Sequence, residues 1–276
     1  MHGGHWECLY ETAEWFASER LGSLIQETPL HRSLSWAEPC QIFEGRQVDG
    51  LHSFCDDQGD IRFMGLVFNS SETGENLFAS AYPFAVNGVT HRIEISEINS
   101  LEYRTEGVIE GLTELGSRIS FFDPLFFLNK DRYQVGQAYE FSMTGMAHFI
   151  EKPPTDEVLI QEGQFYEMAV EEGGVEAGSP LKISTAGMAA IFPRDDIGPA
   201  EYEFQGPMNN IRTTRFDGYP VHAMEVTVKR DVEGDQADFD ITLYGAQKVV
   251  RSGLRLEEGG DLSGLLWLQG HLIGSL

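Results

Sequence analysis

The chain has 276 residues, 41% hydrophobic and 11% aromatic, with 44 Asp and Glu against 19 Lys and Arg for a net charge of −25. That apolar content suffices for a packed core and argues against compositional disorder. The acid excess excludes a basic nucleic-acid coat or a polybasic membrane binder as a description of the whole surface.

At the start of the chain, Met1-His-Gly-Gly-His-Trp has no positively charged region and soon meets Glu7, Glu11 and Glu14, so it does not read as a secretory signal. Over residues 6–26, Trp6, Leu9, Tyr10, Ala13, Phe16, Ala17, Leu21 and Leu24 recur at steps of three and four. This is the apolar face of a helix, with acids near its start and Arg20 toward its end, as the helix dipole favours. The expected role is an amphipathic helix closing the open side of a β domain; a helix that binds a partner is the alternative. The three cysteines, Cys8, Cys40 and Cys55, are scattered and odd in number, which fits a reducing compartment. The densest apolar patch, 119–128, is broken by Asp123 and Pro124 and falls short of the roughly 18–20 residues that span a bilayer. A cytoplasmic location with no membrane contact is therefore expected, and Asn69-Ser70-Ser71, a match to a glycosylation acceptor, carries no weight.

From Asp60 onward, short segments rich in β-branched and aromatic residues alternate with Gly, Asn, Asp and Pro. Strands are predicted around Ile61–Gly65, Ile93–Ile95, Val108–Gly111, Ile119–Phe122 and Ala138–Met146. The tandem Pro153-Pro154 punctuates the chain. Between Pro153 and Leu181 there is no Lys or Arg, while Asp156, Glu157, Glu162, Glu167, Glu171, Glu172 and Glu176 supply seven acids. This segment reads as an acidic connector, or as an acidic hairpin with Val158–Ile160 and Phe165–Val170 as its arms. Beyond it, in the least acidic third, Tyr219–Val228 is a two-faced strand, with Val221, Ala223, Glu225 and Thr227 opposite His222, Met224, Val226 and Val228. A polar turn, the strand Phe239–Gly245, a short helix within 246–254 and a last strand over Leu262–Leu272 follow. The organisation expected is mainly β, with two small barrel or sandwich regions: 1–152 with the N-terminal helix, 153–199 as connector, and 200–276.

The succession of strand, acidic turn, strand ending Leu243-Tyr244-Gly245, short helix, Glu257-Glu-Gly-Gly-Asp261 turn and strand ending Gln269-Gly-His-Leu resembles the later part of an OB-fold. It covers about 219–273 and looks most like bacterial single-stranded DNA-binding proteins. A similar succession runs through Glu106–Gly111, Ile119–Pro124, Tyr133–Gly136 and Tyr139–Phe149, which suggests two related barrels. The resemblance implies stacking of bases on Tyr219, Phe239, Tyr244 and Trp267, with Arg212, Arg215, Lys229, Arg230, Lys248, Arg251 and Arg255 as available cations. Set against that, such binders combine aromatics with a basic groove, small barrels fill their interiors with the same aromatics, and a charge of −25 opposes polyphosphate.

The sequence has no phosphate-binding loop, no His-Glu-x-x-His helix, no Gly-x-Ser-x-Gly elbow and no Cys-x-x-Cys pair. His2, His5 and Cys8 stand three apart, a ligand-like step, yet no fourth ligand is evident, and no metal or cofactor is expected. Cys55 beside Asp56 and Asp57 sits in an electronegative setting that disfavours a thiolate. Asp231, Glu233, Asp235, Asp238 and Asp240 alternate as calcium-loop ligands do, but Gln236 and Thr242 stand where that loop needs Gly and Glu, so a solvated hairpin turn is expected. The leading functional expectation is a non-catalytic protein whose acidic surface, centred on Asp156 to Glu176, engages a basic protein as inhibitor or adaptor. Two alternatives stand beside it. One is single-strand binding through Tyr219, Tyr244, Trp267, Arg212, Arg215, Lys229 and Arg230. The other is an enzyme using scattered carboxylates with His148, His222 or His271.

Overall fold

A computed structural model describes residues 3–42, 45–56, 58–155, 157–176, 178–231, 234 and 236–275, without the side chains of Glu102, Gln164 and Phe165. The molecule is mainly β, with a large mixed sheet and short helical segments at the N-terminus.

The expected helix over 6–26 is divided. Gly3–Cys8 forms a 3-10 turn, and helix α1 (Ala13–Trp15) starts only after extended Thr12, whose hydroxyl accepts the Trp15 N–H at 3.1 Å. A π-turn over Phe16–Arg20 runs directly into α2 (Leu21–Glu27). Thr12 is a good N-cap and stops the two halves from fusing. Trp6, Leu9, Tyr10, Phe16 and Leu24 are nevertheless buried, as the apolar stripe requires, while Ala17 is exposed.

Strands β1 (Leu30–Gln41), β2 (Gln47–Cys55), β3 (Ile61–Asn69) and β4 (Asn76–Ala85) form an antiparallel four-stranded meander. The larger sheet takes β5 (Val89–Ser100), β6 (Gly107–Thr113), β7 (Arg118–Asp123) and β8 (Ala138–Glu151), with α3 (Phe126–Asn129) between β7 and β8. After Pro153-Pro154, β9 (Glu157–Ile160) pairs with β10 (Leu181–Ser184), and α4 (Gln164–Glu171) lies between them. The second arm of the acidic hairpin is thus β10, and the Phe165–Val170 stretch is a helix. Gly163 before it and Gly173-Gly174 after it bound a single short helical segment. The large sheet resumes with β11 (Ala190–Pro193), β12 (Glu201–Phe216), β13 (Tyr219–Lys229), β14 (Phe239–Ala246) and β15 (Asp261–Leu272). In place of the short helix expected within 246–254 there is a 3-10 turn, Gln247–Val249.

The pairings of the large sheet trace two circuits. One runs β12–β13–β14–β8–β15 and returns to β12, with β14 and β8 parallel. The other runs β5–β6–β7–β15–β8 and returns to β5, with β7 and β15 parallel at Phe122 and Gln269. Long β8 and β15 belong to both, so the sheet draws on residues from each side of Pro153-Pro154. At the crossing of β15 and β8 a Cβ on Gly264 would collide with the Phe149 carbonyl, so glycine permits the close approach. Two cores result. One, inside the large sheet, holds Ile93, Phe121, Phe141, Met224, Val226 and Leu266. The other lies between its outer face, the four-stranded sheet and the N-terminal helices, and holds Trp6, Phe16, Phe63, Phe84, Met146 and Trp267.

Candidate functional site

At three residues per 3-10 turn, side chains three apart stand in line, so His5 and Cys8 project from the Gly3–Cys8 turn toward the same place. Three strands meet them there. Glu201 begins β12 and pairs with Trp267 of β15, which pairs with Met146 of β8. Just beyond, Leu265 and Leu266 face Phe149 and Ala147, which leaves His148 as the extra residue of a bulge. A bulge re-aims the side chain it carries. Here it brings His148 Nε2 to 3.0 Å from Glu201 Oε2 and 3.3 Å from Oε1.

His5 Nε2 lies 2.9 Å from Glu201 Oε1, and the His5 ring stacks on Trp267 at 3.7 Å between centroids with the planes 1° apart. Behind His148, Nδ1 stands 3.5 Å from Cys8 Sγ, which in turn donates to the Met146 carbonyl at 3.8 Å. The potential ligand atoms of His5, His148 and Glu201 all fall within 4.8 Å of one another. Burial alone would raise the Glu201 carboxyl, but the two imidazoles outweigh it and hold the group below the usual carboxylate range. Burial would lower His148, yet Cys8 and Glu201 overcome it and push the ring up to about 10. The Glu201 side chain is 2% exposed, whereas His5 and His148 keep about a fifth of their surface open, at 21% and 18%.

These groups form one wall of a cavity of about 610 Å³. Phe78, Leu101, Val108, Phe122 and Ile197 make much of the rest, with Glu106 as a second, buried carboxylate. The backbone around the cavity is strained. Tyr103, which lines it, and Arg104 have φ of 59° and 57°, and Ala200, next to Glu201, has 64°. Left-handed conformations are costly for residues with a Cβ and cluster where function holds them in place.

The residues singled out from the sequence fall elsewhere for the most part. Asp156 lies outside the described residues. Glu157, Glu162, Glu167, Glu171, Glu172 and Glu176 are exposed along β9, α4 and the turns beside it, and Glu157 pairs with Lys182 at 3.5 Å. Tyr219 is 48% exposed, whereas Tyr244 and Trp267 are at 0% and 1%, so of these three rings Tyr219 alone offers a face to solvent. Phe239 is buried as well. The neighbouring cations are engaged within the fold: Arg212 with Asp60 and the Tyr244 hydroxyl, Arg215 with the Gly218 carbonyl, Lys229 with Ser117, and Arg230 with Asp238 and the Gly187 carbonyl. Lys248 donates to the Tyr10 carbonyl and Arg251 pairs with Glu151. Of the three histidines named for an enzyme, His222 meets Gln247 at the surface, His271 is buried in β15, and His148 joins the cluster with His5 and Glu201. His2, Glu233 and Asp235 lie outside the described residues.

His5 and Cys8 are visible in the sequence through their spacing of three, but their partners are not, since a bulge at His148 leaves no local signature and the pairing that brings Glu201 beside it joins strands far apart in the chain. No helix among the described residues is long and apolar enough to cross a membrane. The sequence matches no protein-family model and no curated protein, and the fold matches no solved structure.

Proposed function

We propose that the chain binds a small organic molecule in the cavity between the N-terminal turn, β4, β6 and β12. An apolar body would lie against Phe78, Leu101, Val108 and Phe122, and a polar group would meet His5, His148 and Glu201. The observation that carries this reading is the convergence of three polar side chains on one wall of a largely apolar cavity, the usual form of a small-molecule site. The strained backbone at Tyr103, Arg104 and Ala200 supports it, because it surrounds the same space. This reading develops the enzyme alternative, with His148 as the residue common to both.

The test is a fluorescence titration with N-phenyl-1-naphthylamine, a neutral apolar dye. Saturable enhancement is expected for the wild type. Ala79→Trp, which fills the cavity, should weaken it by about tenfold or more, whereas Trp15→Ala, in a separate surface groove, should leave it unchanged. A wild-type chain that shows no saturable enhancement, or an Ala79→Trp chain that binds as the wild type does, removes the reading.

The fold invites an inference of its own: each five-strand circuit is a small OB-like barrel, the two sharing β8 and β15. Supporting this are the return pairings β15–β12 and β8–β5 and the strand, turn, strand order that an OB barrel also uses. A second functional reading, an acidic surface for a basic protein partner, rests on the exposure of Glu162, Glu167, Glu171, Glu172 and Glu176. Such binding should weaken steeply with salt, and a salt-insensitive complex would count against it.

A further inference from the structure

Three atoms able to ligate a metal face one another at the cavity wall. In zinc sites, metal–nitrogen and metal–oxygen bonds of about 2.0–2.2 Å at tetrahedral or octahedral angles set neighbouring ligand atoms roughly 2.9–3.4 Å apart. The distances from Glu201 to His5, 2.9 Å, and to His148, 3.0 and 3.3 Å, fall in that interval.

Hydrogen bonding behind the site points the same way. The Cys8 thiol spends its proton on the Met146 carbonyl, so toward His148 the sulfur can only accept, and the ring proton of His148 belongs on Nδ1. Nε2 is thereby the nitrogen turned to the Glu201 carboxylate, 3.0 Å away, and the proton it shares with that carboxylate is what a bound ion would displace. A partner on the far nitrogen that fixes the tautomer is also the usual second layer around a metal-bound histidine.

We propose that His5 Nε2, His148 Nε2 and a carboxylate oxygen of Glu201 hold a divalent transition-metal ion of the zinc class, with its open coordination side on the cavity. Two imidazoles and one carboxylate suit zinc, cobalt, iron or manganese and are too nitrogen-rich for magnesium or calcium. Three ligands among the described residues leave a position for water or for an oxygen or nitrogen donor of a bound molecule, the form of a reactive rather than a purely structural centre. The proposal rests on the cavity reading for what occupies that open position, and on the three side chains alone for the ion. Stacking on Trp267 holds the His5 ring in plane, and burial of Glu201 keeps its carboxylate from turning into solvent.

The experiment is a cobalt(II) titration of the full chain after chelator treatment, followed by visible absorption, with excess magnesium present to occupy the surface carboxylates. The wild type should show one saturable d–d band, displaced by an equivalent of zinc. Affinity should fall by at least tenfold in His5→Ala and in Glu201→Gln, with folding checked by far-UV circular dichroism. His5→Ala lies in the terminal 3-10 turn and serves if Glu201→Gln does not fold. Absence of the band in the folded wild type, or a titration unchanged in folded His5→Ala, overturns the assignment. Titrating N-phenyl-1-naphthylamine into the same preparations separates the two readings. Dye binding without a cobalt site removes the metal and leaves the cavity, and a cobalt site without dye binding does the reverse.

Discussion

Asp123 shows how the interior handles a charge-bearing group. Its carboxyl is fully buried, accepts the Tyr133 hydroxyl at 2.6 Å and accepts the Leu125 N–H at 2.8 Å. Burial pushes it up to about 7, against these two donors. Tyr133→Phe removes one donor and strands a buried oxygen, so we expect a loss of about 1–3 kcal/mol in urea unfolding at neutral pH. His271 titrates in the opposite sense. It is 4% exposed, and burial, with Arg62 adding to it, lowers its pKa to about 4 from an ordinary 6.5. Above 6.5 both folded and unfolded chains hold the ring neutral, and its contribution is fully present. Between 6.5 and 4 the unfolded chain takes a proton that the folded one refuses, so stability is lost as pH falls. Relative to His271→Gln, the wild type should therefore weaken with a slope approaching about 1.4 kcal/mol per pH unit across that window. Urea midpoints of both chains at pH 7.5, 6, 5 and 4 check this, and parallel profiles would show that His271 is protonated in the fold.

Among the elements, the ribbon of β9, α4 and β10 stands apart. Val158, Leu159, Met168 and Ile183 are exposed on it, and its two ends meet where the Thr185 hydroxyl donates to the Thr155 carbonyl at 2.6 Å. Replacing residues 157–184 with a few glycines closes a gap that is already short, so stability should change by no more than about 1 kcal/mol in urea. Dye binding in the cavity should persist, while the acidic-surface reading requires partner binding to be lost. The same contrast between buried and exposed elements decides what the sequence discloses. β13 is legible because both its faces are buried in different cores: Val221 and Ala223 enter one, Met224, Val226 and Val228 the other. β1 is not, because it is an edge strand with a mostly exposed pattern and Pro39 near its end, and edges of that kind lack apolar alternation. The candidate site is less legible still. His5 and Cys8 announce themselves by spacing, but His148 and Glu201 come together only through an irregular register and a strand start far along the chain.

At the scale of the molecule, the sharing of β8 and β15 determines how the chain holds together. A fragment of 200–276 would contain β12, β13, β14 and β15 but lack β8, the strand that joins β14 to β15. Leu243 and Leu266 would then lose the buried Phe141, Met143, Ala147 and Ile150 with which they share a core. Each such side chain contributes about 1.5–3 kcal/mol by burial, comparable in sum to the whole net stability of a domain. The isolated fragment should therefore show no cooperative unfolding transition, and the full chain should unfold in one, with tryptophan fluorescence and far-UV circular dichroism coincident in urea. If 200–276 instead gave dispersed amide signals and its own sigmoidal transition, the chain would consist of autonomous parts on either side of the acidic ribbon. The cavity would then be a junction between such parts, since His5 and His148 come from one side of that ribbon and Glu201 and Trp267 from the other.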